Sequence, residues 1–296
     1  MLDYASLHAL ASVVREGSFE RAAKALHVTP SAVSQRIRLL EEKMGCALVV
    51  RGQPCQPTPT GRRLCQHVDQ VRLLEYELQG EVPTLDADGP LRVTVPIAVN
   101  ADSLATWFAP AVAAFAAAAP VLLELALDNE DHTAEWLRSG KVVAAVTGSA
   151  QPVAGCNSRP LGALRYVAAA SPEYVARYFA NGVHAAALAL APSLVFNIQD
   201  DLQARWVRRH CRRSVDLPRH TLPSPQAFVA AAQAGMGWGM HPHALIGPQL
   251  AAGTLVELVP HTFLDVPLYW QQARVASQLL DGLTQAVLAA AARTLC

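Results

Sequence analysis

Ser31, Ser34, Gln35, Arg38 and Glu42 share one face of any helix formed by "TPSAVSQRIRLLEEKMG". Val33, Ile37, Leu40 and Met44 fall within about 60° of one another on the other face. What the polar face offers is hydrogen bonding and charge. Ser and Gln bond base edges, Arg pairs with guanine or phosphate, and a helix N-terminus favours phosphate. Such a surface fits the major groove of duplex DNA, although an amphipathic hairpin with a solvated face has the same pattern. Charge separates the two readings. Residues 1–63 carry nine Lys/Arg against five Asp/Glu, residues 64–90 carry one against six, and the remainder fourteen against thirteen. By segment net charge, only the first has an electrostatic reason to seek phosphate.

Other chemistry is thin. His241 and His243 form a pair on an extended segment with no third carboxylate or Cys beside them, so no metal is expected. "GMGWG" ends a helix and lacks the Lys of a phosphate loop, and there is no GxSxG, HExxH or Walker sequence. The expectation is a chain without catalytic residues or cofactors, not an enzyme. Six cysteines without a CxxC pair indicate neither a zinc site nor a disulfide framework, which fits reduced thiols in a cytoplasm. The opening "MLDYASLHAL" has an acid where an export signal would be basic. "FAPAVAAFAAAAPVLLELAL" is about long enough to span a bilayer, but Pro110, Pro120 and Glu124 divide it into an Ala-rich helix and a buried strand; no membrane partner is expected.

The elements that must position the polar face follow from caps and stripes. Asp3 can cap a helix marked by Leu7, Leu10, Ala11 and Val14, and Ser18 one marked by Phe19, Ala22, Ala23 and Leu26. Thr29 caps the third, with Pro30 at its first position. "CALVVRGQPCQPTPTG" reads as a short strand and Pro-rich loop with Thr60 placed to cap the next helix, completing a winged helix-turn-helix unit. Leu64, Val68, Val71 and Leu78 then make an apolar stripe on an acidic helix to about Gly80, expected to pair with a second copy of itself. "EVPTLDADGP" reads as a hinge. Beyond it, strands and helices alternate as in an α/β domain with largely parallel sheets. Two sets of them imply two lobes joined by crossover strands around a cleft.

Helix-turn-helix, basic wing, linker helix and two-lobed α/β region, in this order, resemble the LysR-type transcriptional regulators over the full chain. The residues that carry the likeness are "FERAAKALHVTPSAVSQRIRLLEEKMG", the run Arg51, Thr58 and Gly61, and "AGMGWGMHPHAL". "NADSLATWFAP", "RPLGALRYVAAASPEYVARYF", "FNIQDDL" and "YWQQ" are similar to the arginine/lysine-export (ArgP/LysG) branch of that family. Val49 and Val50 stand where the family usually has Leu-Phe.

The resemblance implies an α/β fold with a winged helix-turn-helix domain at 1–60, a dimerising linker helix and hinge at 61–89, and a periplasmic-binding-protein-like effector domain at 90–296. Lobe I would take about 90–163 and 266–296, and lobe II about 164–265. It implies DNA contacts from Thr29, Ser31, Ala32, Ser34, Gln35, Arg36, Arg38, Arg51 and Thr58. Its implied effector contacts are Asn100, Ser103, Thr147, Phe196, Asn197 and Ser224, with Asp102, Asp128, Glu130 and Asp201 as partners of a cationic group. The implied partners are promoter DNA, lysine or arginine, a homodimer or dimer of dimers, and RNA polymerase, with an exporter gene as the regulated target. The competing readings are a two-lobed amino-acid-binding protein or enzyme whose N-terminal unit only oligomerises, and an architectural DNA-binding protein without a ligand.

Overall fold

The computed structural model describes residues 2–81, 93–119, 121–127, 135–138, 140–274 and 278–296. The Asp3 carboxylate accepts from the Ala5 and Ser6 amides to open α1 (Tyr4–Glu16), and Gly17 closes it at φ 66°. Ser18 caps α2 (Phe19–Ala25) and Thr29 caps α3 (Pro30–Met44). Leu7, Leu10 and Val13 meet Ala22, Ala23, Val33, Ile37 and Leu40 in one core. The wing is an antiparallel hairpin of β1 (Val49–Val50) and β2 (Gln56–Pro57). Glu41 of α3 holds its base by accepting from the Leu48 amide at 2.7 Å.

Thr58, not Thr60, caps α4 (Pro59–Glu81). Its hydroxyl accepts from the Gly61 amide at 3.1 Å and donates to the Ala47 carbonyl at 2.9 Å. Pro59 takes the first helical position, which leaves the preceding residue as the cap. Gly61 is required by space: a Cβ there would lie 2.0 Å from the Leu48 carbonyl oxygen.

The apolar residues of α4 lie in three environments. Val68 is fully buried in the N-terminal core, with Leu64 packed beside it. Leu73 is buried in the core of the α/β region, and Leu74 and Leu78 remain 47% exposed each. The N-terminal core thus runs past residue 60 into the linker helix. The stripe could not be assigned to one partner from its period because α4 contacts two cores of its own chain.

The α/β region begins with β3 (Thr94–Val99), α5 (Ala101–Ala118) and β4 (Leu122–Leu127), and β3 pairs parallel with β4 and with β5 (Ala144–Thr147). The apolar window read from Phe108 thus divides into the rest of a helix and a strand. A π turn at Leu104–Phe108 precedes Pro110, whose missing amide would break a regular α ladder. β6 (Cys156–Ala170) and β11 (Phe263–Ala273) form a long antiparallel ribbon spanning both lobes. β9 (Gly239–Pro242) and β10 (Val256–Glu257) flank β6 antiparallel, while β7 (Ser193–Val195) and β8 (Arg219–Thr221) pair parallel. The parallel sheet expected from the alternation is therefore confined to β3–β5 and β7–β8, and the connecting strands are antiparallel. Helices α6 (Pro172–Tyr178), α7 (Ala185–Leu188), α8 (Leu202–Cys211), α9 (Pro225–Gln233) and α10 (His243–Ala251) cover lobe II. α11 (Gln278–Thr294) returns to lobe I against α5.

Candidate DNA-reading face and effector cleft

On α3, burial of Val33, Ile37 and Leu40 fixes which side faces out. Ser31, Gln35 and Arg38 are exposed and Ala32, Ser34 and Arg36 half-buried. The Thr29 hydroxyl accepts from the Ala32 amide at 3.2 Å and lies 3.0 Å from the Ser31 hydroxyl. Arg38 pairs loosely with Glu42, at 3.5 Å one turn on, an exposed contact that water and a competing phosphate can replace. Arg51 at the wing stacks its guanidinium over the Phe19 ring at 5.3 Å. The Thr58 hydroxyl, with both its bonds made inside the protein, positions the wing.

The second site is a cleft of about 520 Å³ between the lobes. Lobe I contributes Asn100, Ala101, Asp102 and Leu127, and lobe II contributes Phe196, Asn197, Asp200, Asp201, Arg205, Phe228 and His241. Tyr166 and Val266 enter from the ribbon. The Tyr166 hydroxyl donates to Asp102 Oδ2 at 2.7 Å. Burial pushes the Asp102 carboxyl up to about 6, the Tyr166 bond opposes that, and the charge of Asp200 adds to it. Asp200 is also raised, mainly by burial, although it accepts from the amides of Phe196 at 2.8 Å and Leu202 at 3.2 Å. Two carboxylates from opposite lobes therefore share one desolvated space. Arg205 is the single Arg or Lys among the described lining residues, and its carboxylate contact is the exposed Asp201 at 3.5 Å.

The residues nominated from the sequence separate into three groups. Asn100, Asp102, Phe196, Asn197 and Asp201 come together at the cleft. Ser103, Thr147 and Ser224 do not line it. Ser103 is fully buried and its amide already bonds the Asn100 side chain at 2.7 Å, so that N–H is not free for a ligand carboxylate. Thr147 donates to the Ser149 carbonyl and accepts from Gln271, and Ser224 caps α9. Asp128 and Glu130 lie outside the described residues. Asp200, Tyr166, Arg205 and His241 were missed. Asp200 had a signal, a second acid beside Asp201. Tyr166, inside a strand, had none. His241 is fully buried, with its ring edge-on to Phe228 at 5.0 Å, and burial lowers its imidazole to about 4. It is therefore neutral. His241 and His243 bring no third ligand into reach, and among the described residues no group of three metal-binding side chains occurs.

Residues 4–62 match the family described as "Bacterial regulatory helix-turn-helix protein, lysR family", and residues 87–292 match "LysR substrate binding domain". The chain is 48% identical to the transcriptional regulator ArgP of Pseudomonas aeruginosa, over 98% of this chain and 96% of that one. It superposes on the crystal structure of ArgP from Mycobacterium tuberculosis with a TM-score of 0.85 at 44% identity, covering 100% of this chain and 99% of that one. Full-length LysG from Corynebacterium glutamicum, solved with its effector Arg bound, superposes at 0.75 with 38% identity over 99% of each chain.

Proposed function

The chain belongs to the LysR family of DNA-binding transcriptional regulators, alongside the ArgP and LysG proteins, and from that premise we propose that its signal is a basic amino acid, lysine or arginine. The observation that carries this reading is the pair Asp102 and Asp200, contributed by opposite lobes and both held above the usual carboxylate range by burial. A cation between them relieves their repulsion and their desolvation together, and draws the lobes toward each other. Arg205 supplies the partner for the ligand's own carboxylate. The Arg bound in the Corynebacterium LysG structure supports the same ligand class.

Calorimetry on the full chain with lysine, arginine, leucine and glutamate tests it. Leucine keeps the α-ammonium but has no cationic tail, so it leaves one of the two acids unpaired and is expected to bind at least about tenfold more weakly, since a desolvated unpaired group costs roughly 1–3 kcal/mol. Leucine or glutamate binding as tightly as arginine overturns the assignment.

On DNA, Ser34 and Gln35 read base edges with Arg38, while Ser31 and Ala32 border them. Thr29, Arg36 and Arg51 hold backbone phosphates, and Thr58 acts by keeping the wing in place. Gln35→Ala is expected to lose about 1–3 kcal/mol for the specific site with non-specific binding nearly unchanged. A mobility assay on operator and random duplexes checks it; equal losses on both contradict the role. The regulator works as a dimer or dimer of dimers in the cytoplasm, through exposed Leu74 and Leu78 of α4, at the promoter of an amino-acid exporter.

A further inference from the structure

α8 and the loop after it carry "RWVRRHCRRSVDLPR": six arginines, no lysine and one acid, Asp216, in a chain of zero net charge. Arg205, Arg208 and Arg209 lie within about 100° of one another on α8, Arg212 follows as its left-handed C-cap, and Trp206 and Val207 are buried on the other side of the helix. Arg205 belongs to the cleft, and Arg209 donates to the Phe263 carbonyl at 3.2 Å. Arg208, Arg212, Arg213 and Arg219 are exposed and make no ion pair with any described residue. Like charges at these spacings oppose the helix that carries them. The helix dipole accounts for one or two cations in the last turn; it does not account for Arg213 and Arg219, which lie beyond the helix.

We propose that Arg208, Arg212, Arg213 and Arg219 form a second DNA-phosphate surface on lobe II, which holds duplex flanking the segment read by α3. Two observations favour DNA over an acidic protein. A protein-docking face concentrates its energy in apolar or aromatic anchors, and residues 201–220 expose no large hydrophobic side chain. The set is all arginine, whose fork bonds phosphate in two places. Once α3 is seated, flanking duplex is present at high effective concentration, so that a weak phosphate contact adds affinity and favours bending of the DNA toward lobe II.

The test compares the full-length chain with the R208E/R212E/R213E variant on mixed-sequence duplexes of about 20 and about 80 base pairs, the shorter spanning two major-groove turns and the longer adding flanks. The substituted positions are surface ones, and the variant should keep the wild-type melting temperature, oligomeric state and arginine affinity. On the long duplex it is expected to bind at least about tenfold more weakly at low salt, with the slope of log affinity against log salt reduced by roughly 2–3, one for each lost phosphate contact. On the short duplex the two proteins should agree within about twofold, a difference too small to represent one phosphate contact. The R208K/R212K/R213K variant should restore the salt slope, since lysine keeps the charge, and regain part of the affinity, since it lacks the fork. Equal behaviour on both lengths overturns the proposal. So does a variant that binds both duplexes normally but loses self-association or polymerase recruitment, which would make the stripe a protein-docking face. None of these readouts depends on the identity of the effector.

Discussion

Asp102→Asn is expected to weaken lysine and arginine binding by roughly 10- to 150-fold, the equivalent of losing one charged hydrogen bond worth about 1.5–3 kcal/mol. Asn keeps the shape and can still accept from Tyr166, so the loss reports charge rather than collapse of the pocket. The pH dependence separates this from a packing effect. Burial first, and the facing charge of Asp200 second, hold the Asp102 carboxyl near 6 against an ordinary 3.8, with the Tyr166 bond opposing both. A cationic ligand selects the ionised form. Affinity should be full above pH 6 and fall as the pH drops through that value, by close to tenfold per unit below it. The sign for folding is the reverse. Because the folded pKa is raised above the unfolded one, the ionised group destabilises the empty protein at neutral pH, and that penalty is relieved as the pH falls from about 6 toward 3.8. Arginine should therefore raise the melting temperature most at neutral pH. Calorimetry on wild type, D102N and D200N at pH values of about 5, 6 and 7.5 measures all three terms across the Asp102 midpoint. A D102N protein that binds arginine as tightly as wild type, or whose acid-side loss keeps the wild-type midpoint near 6, removes Asp102 from the cation site.

How much of this was legible in the sequence depended on how local the determinants were. The three N-terminal helices were readable because each begins at a side chain that caps it within three residues: Asp3, Ser18 and Thr29. The cap of α4 was misplaced by two residues because Thr58 and Thr60 are equivalent as sequence, and only the bonds to Ala47 and Gly61 distinguish them. β6 runs unbroken from Cys156 to Ala170, although the first half of that segment does not read as a strand. Pro160 and Gly162 interrupt its pattern, and pairing with β11 supplies the extended geometry that local propensity does not. α10 carries Pro248 inside it, which hides the helix from local propensity. At the cleft, the adjacent acids Asp200 and Asp201 differ in nothing but direction. Bonds from the Phe196 and Leu202 amides hold Asp200 in the buried part of the cleft, while Asp201, also in the lining, is exposed and pairs with Arg205. Ser103 shows the converse. Its position after a strand suggests an anion site, yet Asn100 three residues earlier captures its amide as a helix cap.

The division of the α4 stripe leads to the second large effect. Val68 is fully buried in the core that holds Leu7, Leu10, Ile37 and Leu40, so Val68→Asp places a carboxylate in an apolar core. The cost is about 4 kcal/mol or more, the lost apolar burial plus the penalty of a buried carboxylate, against a domain stability of roughly 5–15 kcal/mol. DNA binding should be lost on specific and random duplexes alike, while the 520 Å³ cleft, built from the other core, keeps its arginine affinity. Leu74→Glu with Leu78→Glu should behave differently although the positions lie on the same helix. Both side chains are 47% exposed, so the fold of one copy changes by no more than about 0.5 kcal/mol per site. What should fail is self-association, and with it the affinity for paired half-sites, leaving binding to a single half-site in place. Sedimentation and a thermal melt on each variant decide between these outcomes. A Val68→Asp protein with wild-type DNA affinity would mean that α4 does not belong to the N-terminal core, and a dimeric L74E/L78E protein would mean that the exposed leucines cover something other than a second copy.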